Sequence, residues 1–139
     1  MNIKAKTTCY CARLRRSVNL MTKYYNQKMC SSGLSLKQYF LLVNLLSIGP
    51  CNITELAEYI ELDRSTVVRN LKPLFGKGFI EDLSSPNSRD KAISVTQAGK
   101  ETLKIANPLW LSAQTAIAES IGENEIEQAL KVLENIEEV

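Results

Sequence analysis

The sequence predicts a mainly α-helical winged helix-turn-helix with a small β-wing, and three observations predict it. Residues 53–62 and 63–75 form two short apolar-periodic segments that meet at a tight turn, the pattern of two helices joined almost end to end. Two β-type runs, 79–83 and 92–95, follow and bracket the charged turn SSPNSRDK, as a basic hairpin would. Glycine (6) and proline (4) are too scarce in 139 residues for a loop-rich β fold. A chain of this length is expected to be a single domain over 1–139, with a winged core at 34–95 and dimerisation helices at 9–31 and 96–139.

The elements follow in order. From Tyr10 to Met29, apolar residues recur at 11, 14, 18, 21, 25 and 29, steps of three and four that form one helical stripe. Arg13, Arg16, Lys23 and Lys28 take the other side, and the Ser-Ser-Gly at 31–33 ends the helix. Ser35 and Gln38 have the spacing of a capping box and open a nearly all-apolar helix, Leu36–Ile48, expected to be buried. Gly49-Pro50 stops it. Asn52 and Glu55 repeat the capping spacing at the first helix of the pair, and Asp63 is the natural N-cap of the second. Pro73 falls deep in that second helix, where it removes a backbone hydrogen bond. A long helix runs from Thr96 to about Ile121, with a kink expected at Pro108. Gly122 separates it from a last helix, Glu123–Glu137, striped by Ile126, Leu130, Leu133 and Ile136. The terminal helices carry more apolar stripe than so small a monomer covers, so a homodimer built from both termini is expected.

Charge points to the partner. From Glu119 onward seven acids face Lys131 alone, leaving sixteen bases and eight acids in the rest, a net of +8. A basic body with an acidic tail suits a polyanion, here double-stranded DNA, although the tail by itself reads more readily as a solvated acidic face. On the second helix of the pair, Val67, Leu71, Leu74 and Phe75 are expected to pack inward. Arg64, Ser65, Thr66, Arg69, Asn70 and Lys72 are left outside. Small hydroxyls at a helix N-terminus let phosphate approach, and arginine and asparagine one turn on reach base edges. In the wing, Arg89 is placed to enter a minor groove, with Asn87 to hold it and Lys91 alongside. A solvated polar helix face and an ordinary hairpin are the competing readings.

Other classes fare worse. There is no histidine, which removes the commonest general base, and no nucleotide loop or convergent acid pair stands out, so no enzyme is expected. No cofactor is implied. Cys9, Cys11, Cys30 and Cys51 have poor spacing for zinc. No apolar run approaches a membrane span and no signal peptide is apparent, so a cytoplasmic protein with reduced thiols is expected. The rival reading is a winged-helix protein-interaction module that never binds DNA, and the basic set Arg64, Arg69, Lys72 and Arg89 argues against it.

The stretch ITELAEYIELDRSTVVRNLKPLFGKGFI, the N-S-R of the wing and the closing A-I-S-V-T-Q-A-G resemble the MarR family of winged-helix transcriptional regulators over about residues 9–139. The resemblance implies a DNA-binding regulator, most simply a repressor, whose affinity is modulated by a small aromatic ligand or by cysteine oxidation. Asn87 departs from the family's usual aspartate, which leaves Arg89 less firmly clamped. The segment from Cys11 through Met21-Thr22-Lys23 to Tyr25, with Tyr39 on the next helix, is similar to the family's organic-peroxide-sensing branch. That similarity implies Cys11 as a peroxide sensor with Tyr25 and Tyr39 as its partners. Arg15 stands where the branch has a further tyrosine. The alternative keeps Cys11 as a small buried hydrophobe at a dimer contact.

Overall fold

Caps decide where the helices of this chain begin and end. The structure is a computed structural model that describes residues 9–88 and 92–139. It contains α1 (Tyr10–Met29), a 3-10 turn (Cys30–Ser32), α2 (Leu36–Ile48), α3 (Ile53–Ile60) and α4 (Arg64–Gly76). Strands β1 (Ile80–Asp82) and β2 (Ile93–Val95) follow, then α5 (Gln97–Ile121) and α6 (Glu123–Glu137). The fold is the expected mainly α winged helix-turn-helix.

The Ser35 hydroxyl accepts from Gln38 N at 3.2 Å and the Gln38 carboxamide accepts from Ser35 N at 3.0 Å, a complete capping box. At α3 only half of that arrangement forms, Asn52 Oδ1 accepting from Glu55 N at 2.8 Å. Gly49, at φ 83°, closes α2 with its N–H on Leu45 O. α3 ends two residues earlier than expected, because Glu61 turns left-handed at φ 57° and directs its N–H back to Ala57 and Glu58. Pro73 and Pro108 both sit inside helices that continue past them.

The core lies where α2, α3, α4 and β2 converge, on Leu42, Leu45, Leu56, Leu71, Leu74 and Ile93, all at most 1% exposed. The wing strands pair antiparallel, Ile80 with Val95 and Asp82 with Ile93, and Leu83 N extends the ladder to Ala92 O. Cys51 bridges β2 from its other side, so Ile93 is held by chain on both flanks.

Two burial expectations need correction. α2 is not buried all round: Tyr39, Leu41, Leu42 and Leu45 are inside, but Phe40, Val43 and Leu46 are exposed, since its neighbours cover one side only. Of the α1 stripe, only Tyr25 and Met29 are buried within the chain, and Cys11, Leu14, Val18 and Met21 are exposed. α1 packs against α5 toward its C-terminal end, and α6 buries none of its residues. Among the described residues no helix is long and apolar enough to cross a membrane.

Candidate nucleic-acid interface

The second helix of the pair, α4, begins under tight control. Asp63 has extended backbone and its carboxylate accepts from Thr66 N at 3.0 Å, the Ser65 hydroxyl at 2.5 Å and the Thr66 hydroxyl at 2.6 Å. The Ser65 and Thr66 hydroxyls, in that order, hold the Asp63 carboxyl well below the usual carboxylate range. This revises the sequence expectation for that end of the helix. The two hydroxyls are committed to Asp63, and a fixed negative charge sits where a phosphate would otherwise be drawn by the helix dipole.

The inward face consists of Val67, Leu71 and Leu74. Phe75 is not part of it: one residue past Leu74 is about 100° round the helix, and the residue is 40% exposed. Thr66 and Asn70 are half-buried, and Asn70 Nδ2 donates back to Thr66 O at 3.0 Å, so neither is the freely exposed group the pattern suggested. Arg64, Ser65, Val68, Arg69 and Lys72 are exposed. Ser65, Arg69 and Lys72 fall at the spacing that lines one side of a helix. The face opposite the core is thus basic and open.

The wing is locked at its base. Thr96 N donates to Phe79 O at 3.0 Å, its hydroxyl donates to Gly78 O at 2.6 Å and accepts from Gly99 N, capping α5. Gly99 has no room for a side chain; a Cβ there meets the Phe79 carbonyl and Val95 Cγ1. Asn87 is exposed in the turn that Ser88 N closes on Ser85 O at 3.0 Å. Arg89 and Lys91 lie outside the described residues. Sequence reasoning missed Lys77, whose ammonium donates to Gly33 O at 2.7 Å and ties the end of α4 to the connector between α1 and α2. Only tertiary structure brings that carbonyl near, so no local spacing marks it.

The residues expected around Cys11 are not gathered within one chain. Cys11 is exposed, with Arg15 Nη2 at 4.0 Å from its sulfur. The Tyr25 hydroxyl donates to Gln114 Oε1, and the Tyr39 hydroxyl donates to Asn107 Oδ1 at 2.7 Å while its ring stacks on Trp110 at 5.8 Å. Burial pushes both tyrosine hydroxyls up in pKa. Cys51 is buried at 4% exposure, and burial, then the Glu55 carboxylate, push its thiol up. Among the described residues no group of three or more His, Cys, Asp or Glu is gathered to hold a metal.

A short helix capped against the core, a second helix presenting arginine and lysine, and a hairpin anchored beside it define a DNA-binding transcriptional regulator. The comparisons with known proteins agree. The model of the MarR family matches residues 34–89, which hold the whole helix-turn-helix and the first part of the wing. The HTH-type transcriptional regulator YxaD of Bacillus subtilis is 36% identical over 93 residues, 66% of this chain and 62% of that protein. The M. tuberculosis transcriptional regulator MosR, solved in complex with DNA, superposes with a TM-score of 0.77 at 27% identity, over 94% of this chain and 96% of its own. The fold is also that of the repressor CouR bound to p-coumaroyl-CoA (TM-score 0.84, 21% identity, 98% and 96% covered). Over residues 34–89 the chain is thus similar to the MarR family. Members of this family are DNA-binding transcription factors rather than enzymes.

Proposed function

We propose that the chain acts in the cytoplasm as a homodimeric repressor that reads a near-palindromic operator and releases it on meeting an effector. In this reading residues 34–95 grip the duplex and 9–31 with 96–139 join two copies. The observation that carries it is the open Ser65–Arg69–Lys72 side of α4, opposite a core face that fixes the helix rigidly. The solved DNA complex of MosR, at 27% identity, supports the same use of the fold here. Arg64, Arg69 and Lys72 supply the contacts of α4, and Asn87, Arg89 and Lys91 those of the wing. Ser65 and Thr66 act through Asp63, and Asn70 through Thr66. The test is a mobility shift of the DNA upstream of the protein's own gene across a salt series. A retarded band that weakens steeply with salt is expected; no band at low salt rules the reading out.

Two effector routes remain in this reading. CouR binds p-coumaroyl-CoA, and here the Tyr39–Trp110 stack supports an aromatic ligand. Cys11, exposed beside Arg15, supports oxidation. With Tyr25 and Tyr39 bonded to α5 of their own chain, the oxidation route uses Cys11 and Arg15 without those hydroxyls. Operator release by cumene hydroperoxide in wild type but not in Cys11→Ser selects oxidation. Equal release in both, or none, selects the ligand.

A further inference from the structure

One exposed side chain on α4 is out of character with its surroundings. Val68 is 42% exposed between Arg64, Ser65, Arg69 and Lys72, while its neighbour Val67 is fully buried in the core. At 3.6 residues per turn, Ser65, Val68, Arg69 and Lys72 stand at i, i+3, i+4 and i+7, one continuous stripe. An exposed β-branched residue in a helix gives up propensity relative to alanine or lysine. Within this chain Val68 regains little of that by burial. Its methyl groups therefore await a surface that the folded chain does not provide.

Resting on the DNA-binding reading above, the geometry points to Val68 as a base-reading residue that recognises the 5-methyl group of thymine. With Arg69 at a base edge, the adjoining Val68 faces the same groove. Beside the donors and acceptors that the base edges present there, thymine alone among the unmodified bases carries a methyl group. Against that methyl, Val68 and its target both leave water. Against cytosine, which carries only a hydrogen at that carbon, the same side chain has no methyl to cover and the contact is lost. Val68 thus discriminates by a mechanism that Arg69 and Lys72 do not have.

The test uses the full chain and a duplex selected from a randomised pool. Each thymine of that duplex is replaced singly by deoxyuridine, which deletes only the methyl, and affinity is read by fluorescence anisotropy. Wild type is expected to lose about fourfold at one thymine of each half-site, the ratio that corresponds to ~0.8 kcal/mol for one buried carbon. Val68→Ala is expected to bind the thymine and uracil duplexes alike, and Val68→Ile to keep the wild-type ratio. Arg69→Ala, though weaker overall, keeps it as well. A flat thymine–uracil profile in wild type, or the same ratio in Val68→Ala, overturns the contact while leaving DNA binding intact. No retention of any duplex by wild type overturns the DNA-binding reading itself.

Discussion

Asp63 gathers the hydroxyls of Ser65 and Thr66 and the N–H of Thr66 on one carboxylate, so its ionisation is coupled to the start of α4. Its folded pKa lies below the unfolded value of about 3.9. The stabilisation is therefore complete above that value and is lost as pH falls toward the folded one. The difference in urea midpoint between wild type and Asp63→Asn is expected to be constant above about pH 5 and to shrink below about pH 4. A gap that widens on acidification would contradict the capping role. Further along the helix, Arg69 and Lys72 stand on the same side but do different work in the proposed complex. Arg69→Ala is expected to cost on the order of 1–3 kcal/mol and to relax specificity, through loss of a bidentate contact to guanine. Lys72→Ala is expected to weaken every sequence alike and to lower the salt slope by about 1, as the loss of one phosphate contact does. Salt-dependent titrations of both variants on specific and scrambled duplexes separate the two roles.

The turn between the paired helices passes through Glu61, held at φ 57° where glycine would sit without strain. Glu61→Gly is expected to raise stability by about 1 kcal/mol, read as a higher urea midpoint at unchanged slope. The wing–α5 junction behaves in the opposite sense. Gly99→Ala drives a Cβ into the Phe79 carbonyl that Thr96 N already uses, and is expected to cost about 1–3 kcal/mol by thermal unfolding. These two positions show what was legible in the chain. Ser35, Gly49, Asn52, Asp63 and Thr96 announce helix ends because their chemistry is local, and the boundaries fall where they stand. Glu61 announces nothing, since no feature of a glutamate side chain marks a left-handed backbone. The apolar run of α4 extends to Phe75, one residue beyond the inward face, so the run alone does not mark where that face ends. The tyrosines met Asn107 and Gln114 instead of a cysteine because those partners lie 68 and 89 residues away, beyond any spacing rule.

At the scale of the whole molecule, the terminal helices remain unfinished. α6 buries no residue, yet Leu130, Leu133 and Ile136 lie along one stripe at 55, 41 and 46% exposure. On α1 and α5, Val18, Leu20, Met21, Leu111 and Ile121 are also exposed, and Leu20, Met21, Ile117 and Ile121 line an apolar groove of ≈350 Å³ between those helices. Completing the burial of a half-exposed leucine or isoleucine contributes about 1 kcal/mol, and eight such residues from each of two copies exceed the low end of the roughly 4–15 kcal/mol that association costs. Solvent exposure of the same stripes would instead invite aggregation. In the proposed two-fold dimer through α1, α5 and α6, the two α4 helices are expected to stand about 34 Å apart, one turn of duplex, which a lone chain cannot do. Wild type is expected to scatter light as a dimer at micromolar concentration. Leu130→Glu combined with Leu133→Glu is expected to scatter as a monomer with an unchanged far-ultraviolet helical signal, because neither side chain supports the chain's own core. That monomer should bind half-site DNA as well as wild type does while losing the full operator by at least tenfold. A wild-type monomer overturns the dimer, and a double variant that still dimerises places the two-fold contact elsewhere.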